Sequence, residues 1–209
     1  MAERIDDVTI INRALARIGA GSITARGEDS DLARQACAVY DDLVDTALAA
    51  WRWNWARVTR PLDRLAETPV NGWAHAFAFP VGAIGGPQRL LVDPRSPDAP
   101  LREFLVEGGK VYAMQEALWG VFVLRIDPDL WPALYRTAFT AWLAAELCVP
   151  VTHDSNLAAT LAASAVGNPS ENLRGGLMGR AIAFDAAESN AAAPLLATDP
   201  FTSAWHGGV

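Results

Sequence analysis

His153-Asp154-Ser155 brings together, in three consecutive positions, the residue types of a hydrolytic triad. Adjacent side chains project apart and a working triad is assembled from distant parts of a chain, so these residues fit better as the cap of a following helix. His75, His153 and His206 are far apart, and none has a His or Cys partner at ligand spacing, which leaves no basis for a metal centre. The acid pairs Asp6-Asp7 and Asp41-Asp42 fall on what read as polar helix faces, where carboxylates are ordinarily solvated. Gly175-Gly176-Leu177-Met178-Gly179 lacks the preceding strand and the Lys-Ser/Thr of a phosphate loop. Cys37 and Cys148 lie inside helical patterns with no CxxC spacing and read as buried free thiols in a reducing cytosol. No residue is nominated as catalytic, cofactor-binding or metal-ligating.

The elements that would position these side chains are bounded by composition. At 209 residues and 51% apolar content the chain can bury one sizeable core, perforce a folded one. A net charge of −7 argues against a surface built to grip nucleic acid, because phosphate binding needs clustered Lys and Arg. The opening MAERIDDVTI carries acids where a signal peptide needs a basic start, so no export signal is expected. The most apolar stretch, Trp131 to Val151, contains Arg136 and Glu146, each costing about 2.5–3.5 kcal/mol at a bilayer centre, and reads as a buried helix.

Val8, Ile11, Leu15 and Ile18 form one helical stripe, stopped by Gly19 and Gly21. A second helix is expected after the capping candidates Asp29 and Ser30, through Leu32, Ala36, Val39, Leu43, Ala47 and Ala50. From about residue 53 to 126 the period becomes that of strands. Rings alternate with alanines over Trp73 to Phe79, and Gly108-Gly109 can supply the positive φ angles of a tight hairpin between Glu103–Val106 and Lys110–Met114. Val121 to Ile126 reads as the last strand, and the proline-rich Asp93 to Pro100 as an exposed contact loop. A central helix is expected from Asp127-Pro128-Asp129, stopped by Pro150, then one carrying Leu157, Leu161 and Ala165. After the interruption Gly167-Asn168-Pro169, a weaker helix is expected through Leu173, Leu177, Ala181 and Phe184. The fold class is therefore α+β: an antiparallel helical bundle from residues 1–52 and 127–189, an inserted antiparallel β region over 53–126, and a C-terminal arm over 190–209. That arm has no regular period, yet it holds Leu195, Leu196, Phe201 and Trp205, more apolar bulk than an ordinary tail.

Trp51-Arg52-Trp53-Asn54-Trp55 stands where the second helix gives way to the strands. Large rigid rings at such a corner suit locking two layers together or gripping a neighbouring subunit.

This order of elements resembles the tail tubular protein A family of bacteriophages, the adaptors that join portal to tail. Ile11-Asn12-Arg13-Ala14-Leu15-Ala16-Arg17-Ile18-Gly19 is similar to the family's opening N-x-A-L-x-x-I-G helix, and Trp53-Asn54-Trp55-Ala56 with Arg60 and Leu62 to its W-N-F-A segment. Gly72 to Pro80 is similar to its W-x-Y-A-Y-x-L-P strand, and Leu143-Ala144-Ala145-Glu146-Leu147 with Thr152, Ser155 and Leu157 to its L-A-x-x-L-A-x-x-L-T-x-S step. Val81-Gly82 stands where the family's Pro-x-Asp turn would be, and the glycines from Gly167 to Gly179 break what would be a continuous last helix.

The resemblance covers roughly residues 5 to 165. It implies a noncatalytic head-to-tail adaptor: a homo-oligomeric, dodecameric ring under the portal of a phage or gene transfer agent, with tail or stopper proteins below. Duplex DNA would cross its lumen without sequence recognition, in a virion made in the bacterial cytoplasm, with no membrane and no cofactor. Trp51, Trp53 and Trp55 are the candidates for the subunit interface, and Leu195, Leu196, Phe201 and Trp205 for portal docking. The alternatives are a hydrolase, or a small helical chaperone or regulator of assembly that forms no ring.

Overall fold

The computed structural model describes residues 4–188. Five helices and two small antiparallel sheets give the expected α+β class. Helix α1 (Asp7–Arg17) starts at Asp6, whose carboxylate accepts the Thr9 N–H at 2.8 Å and the Thr9 hydroxyl at 2.7 Å. It buries Ile10, Ile11, Ala14 and Leu15 and ends before Gly19, at φ +69°. Its Asn12 side chain holds the next loop from both sides, donating to the Ile23 carbonyl and accepting the Ile23 N–H, each at 2.8 Å. Helix α2 (Asp31–Ala49) is capped by Ser30, whose Oγ accepts the Ala33 N–H at 3.1 Å.

Six strands follow: β1 (Arg57–Pro61), β2 (His75–Ala78), β3 (Ala83–Leu91), β4 (Leu105–Glu107), β5 (Lys110–Ala113) and β6 (Trp119–Leu124). They form two sheets of order β1-β6-β3 and β2-β5-β4. Gly108 and Gly109, at φ +57° and +74°, turn β4 into β5, with Glu107 opposite Lys110. The stretch from Trp73 to Phe79 is a strand only over His75–Ala78, and Ala76 and Phe77 are both fully buried. Strict alternation is lost because β2 is covered on both faces rather than half-exposed.

Strand β6 joins two cores. Phe122 points into the β core with Leu62, Phe77, Leu90, Val111 and Leu118, whereas Val123 on the other face enters the helical core. The chain then makes a 3-10 turn at Pro128–Leu130 before helix α3 (Ala133–Thr152), correcting the expectation of one helix from Asp127. Pro132 disfavours helical geometry at the preceding Trp131, whose ψ is +133°. Nor does Pro150 end α3. It sits in the last turn, and the helix stops at His153, in the left-handed region at φ +58°. Helix α3 packs against α1, α2, α4 and α5, burying Tyr135, Phe139, Trp142, Leu143 and Leu147 among others, as a central helix should. Cys148 is also fully buried there, with its Sγ 3.3 Å from the Asp154 carbonyl.

Helix α4 (Ser155–Val166) and helix α5 (Gly176–Glu188) complete the bundle. The expected stripe on the last helix is rotated: Met178, Ala181, Ile182 and Asp185 are buried while Phe184 is exposed. Asn172 and Leu173, both at positive φ, break the chain and reset the helix phase. The glycines here permit close approach. A Cβ on Gly176 would lie 2.5 Å from the Ser164 carbonyl oxygen, and one on Gly179 only 1.9 Å from that of Arg174.

A charge network ties α1, α2 and the end of β6 together. Arg26 bridges Asp7 and Asp41, Arg125 bridges Asp41 and Asp45, and the Tyr40 hydroxyl donates to Asp7 at 2.8 Å. Burial, reinforced by Asp7, pushes the Tyr40 phenol well above its ordinary range, so it stays a donor.

Candidate functional site

The corner after α2 is built from its tryptophans inward. Trp53 is fully enclosed, its ring 4.8 Å from that of Tyr135, and its indole N–H donates at 2.9 Å to the Ala47 carbonyl. That bond satisfies one of the carbonyls a helix leaves open in its last turn. The stack continues through Trp131 and Phe139 to Tyr40, in edge-on contacts of 4.9–5.6 Å. Trp53 is thus corrected as an interface candidate: with no exposed surface, it can hold the fold together but cannot touch a neighbour. Trp51 and Trp55 are half-buried. Trp55 lies 4.7 Å from Tyr135, and neither its indole nitrogen nor the Tyr135 hydroxyl has a hydrogen-bond partner among the described residues.

Asn54 carries the second half of the corner. Its backbone N–H donates to both carboxylate oxygens of Asp185, at 3.0 and 3.2 Å, and its side-chain amide donates to the Asp185 carboxylate at 3.1 Å and carbonyl at 2.9 Å. The Trp51 indole N–H reaches the same carboxylate at 3.2 Å. Asp185 is 3% exposed, so this is a buried carboxylate saturated with donors that pins α5 onto the start of the β region. Sequence reasoning missed it. Asp185 lies in a run of alanines and acids that looks solvated, and only its place on the buried phase of α5 would have given it away.

Outward of Asp185 the corner opens into a cleft of about 300 Å³, walled by Arg52, Arg57 and Arg89 with Asn54, Gln88 and the Trp51 ring. Sheet register explains why two strands contribute. Arg57 is opposite Val123 and Arg89 opposite Val121, so both arginines rise from the face that β6 turns toward the helices. An adjoining recess of about 430 Å³ shares Trp51, Arg52 and Gln88 and adds Arg174, whose guanidinium lies 5.7 Å from the Trp51 ring centroid. Among the described residues none of these four arginines is ion-paired, in contrast to Arg4, Arg26, Arg34 and Arg125.

The other chemistry-bearing residues are not brought together. Asp154 caps α4, accepting the N–H groups of Asn156 and Leu157 at 3.0 and 2.9 Å, while the preceding His153 closes α3. Asp6 caps α1, Asp7 and Asp41 belong to the charge network, and His75 stands on β2 opposite Ala113. Among the described residues no group of three or more His, Cys, Asp or Glu is placed to hold a metal ion. Likewise, no helix of the described part is long and apolar enough to cross a membrane. His206 and the expected portal-docking residues Leu195, Leu196, Phe201 and Trp205 lie outside the described residues. A scan of protein-family models and a search of curated proteins both find no match to this chain.

Proposed function

We propose that this protein is a noncatalytic head-to-tail adaptor of a tailed phage or phage-like particle. In this reading copies of the chain form a ring between portal and tail, through which duplex DNA passes. The observation that carries it is the position of the residues on which the family resemblance rests. Asn12 fastens the α1–α2 loop, Trp53 locks α2 to α3, and Asn54 pins α5. These residues stand at structural joints rather than around a reactive pocket, as befits a scaffold whose work is assembly.

A ring also needs a surface that a neighbour can cover. Helix α4 contains no charged residue, and only Ala165 of its twelve residues is fully buried. Beside it runs a groove of about 610 Å³, lined by Trp142, Ala159, Ala163, Val166 and Leu173. A heterologous contact, in which one patch meets a different patch on the next copy, closes such units into a ring. Acidic side chains facing the lumen would let DNA slide, which accords with the net charge of −7.

Light scattering and negative-stain imaging of the purified protein, alone and mixed with a candidate portal ring, test the reading. A ring, or a monomer converted to one on the portal, is the expected outcome. A monomer that ignores the portal would overturn it and return attention to a helical chaperone or an enzyme.

A further inference from the structure

We propose that the arginine cleft beside Trp51 is a docking recess for a carboxylate-rich, extended segment of a different protein. Within a chain that carries 24 acidic against 17 basic side chains, Arg52, Arg57, Arg89 and Arg174 gather around one pair of connected recesses without taking an ion-pair partner among the described residues. Guanidinium groups that serve the fold here do pair, as Arg26 and Arg125 do. The carboxylate beneath the cleft, Asp185, is already occupied by Asn54 and Trp51 donors, and Glu188, one turn further along α5, forms no ion pair with the four arginines. The cluster therefore keeps a net positive charge, and its planar forks suit oxygen pairs.

Carboxylates on a peptide fit this cleft better than phosphates on a duplex. The four arginines are exposed around recesses of about 300 and 430 Å³, which carboxylate side chains can enter and a duplex cannot. A register shift between Ile84 and Arg89 leaves Gly85–Gln88 out of the ladder with β6, and Gly86, Pro87 and Gln88 line the recess. Strand β3 is also at the margin of its sheet, so an extended segment can run beside it and place alternate side chains among the arginines. Finally, a long polyanion meets the field of the whole acidic chain, whereas a short segment feels chiefly charges within a Debye length, about 8 Å at physiological salt. The inference stands whether or not the chain forms a ring.

The test is fluorescence anisotropy of a labelled oligoglutamate peptide titrated with the full-length protein, beside an oligoglutamine peptide and a labelled DNA duplex. We expect the acidic peptide alone to bind, more weakly as salt rises, and the double variant Arg52→Gln/Arg89→Gln to lose about tenfold or more in affinity while keeping its thermal melt. Arg95→Gln, in the exposed β3–β4 loop, should bind like the parent. Equal binding of both peptides, or unchanged affinity in the double variant, would overturn the proposal. So would duplex binding that depends on Arg52 and Arg89, which would make this a nucleic-acid contact. Self-association lost in the double variant without any peptide binding would put a second copy in the cleft, and would equally overturn it.

Discussion

The middle and the C-terminal end of α2 are fastened by different chemistry. Its middle is held by charge, with Arg26 and Arg125 joining Asp7, Asp41 and Asp45. Its C-terminal end is held by an enclosed indole and a buried carboxylate, Trp53 and Asp185, while the arginines beside them are unpaired among the described residues. The same residue type is thus paired within the fold at one place and, among the described residues, unpaired at the other. What separates the two is that the Asp185 carboxylate at the corner is taken by the Asn54 and Trp51 donors, whereas Asp41 and Asp45 are left to the guanidinium groups.

That comparison can be broken by substitution. Trp53→Ala should have the largest effect, about 3–5 kcal/mol lost in chemical denaturation, because it empties the centre of the aromatic stack. Asp185→Ala should follow with about 3 kcal/mol, since it strands the Asn54 and Trp51 donors, and Asp185→Asn should recover part of that loss. Arg26→Gln should cost only about 1 kcal/mol, because its side chain and that of Asp7 are 35% and 31% exposed and water screens the pair. If Arg26→Gln proved the more damaging, the charged middle would be the true anchor of α2.

Acid tests a different contact, the cap of α1. Bonds from the Thr9 hydroxyl and N–H hold the Asp6 carboxyl below its usual range, so its capping contribution is present above the unfolded value near 3.9 and disappears as pH falls through the folded one. Asp6→Ala should therefore cost about 0.5–1 kcal/mol at neutral pH, and its stability curve should merge with that of the parent in strong acid. The smallest effect belongs to Arg52→Gln, expected within about 0.5 kcal/mol of the parent. A larger loss would mean that the cleft arginines serve the fold after all.

Most of the framework was legible because local rules suffice for it. Ser30 as a cap, the Gly108-Gly109 hairpin and the stripe of α1 each follow from neighbours in the chain. The tryptophan corner was legible as a place but not as a role: no periodicity distinguishes the enclosed Trp53 from the half-buried Trp51 and Trp55. Asp185 and the cleft were illegible for a different reason. Asn54 and Asp185 are 131 positions apart, and Arg57 meets Arg89 only through the register of β6. The glycines of 167–179 looked like a cost to a helix, because what they approach lies in other turns: the Ser164 and Arg174 carbonyls for Gly176 and Gly179, and the Glu171 side chain for Gly167 and Gly175.

Cys148 lies sealed under the α3–α4 corner with no exposed surface. A thiol reagent reaches it only when that corner opens, so its labelling rate is a clock for a local breathing motion, readable without unfolding the chain. Because the apolar groove beside α4 adjoins the same helix pair, the clock would slow whenever a neighbour settled there. One native cysteine can in this way report contact at that groove from inside the fold.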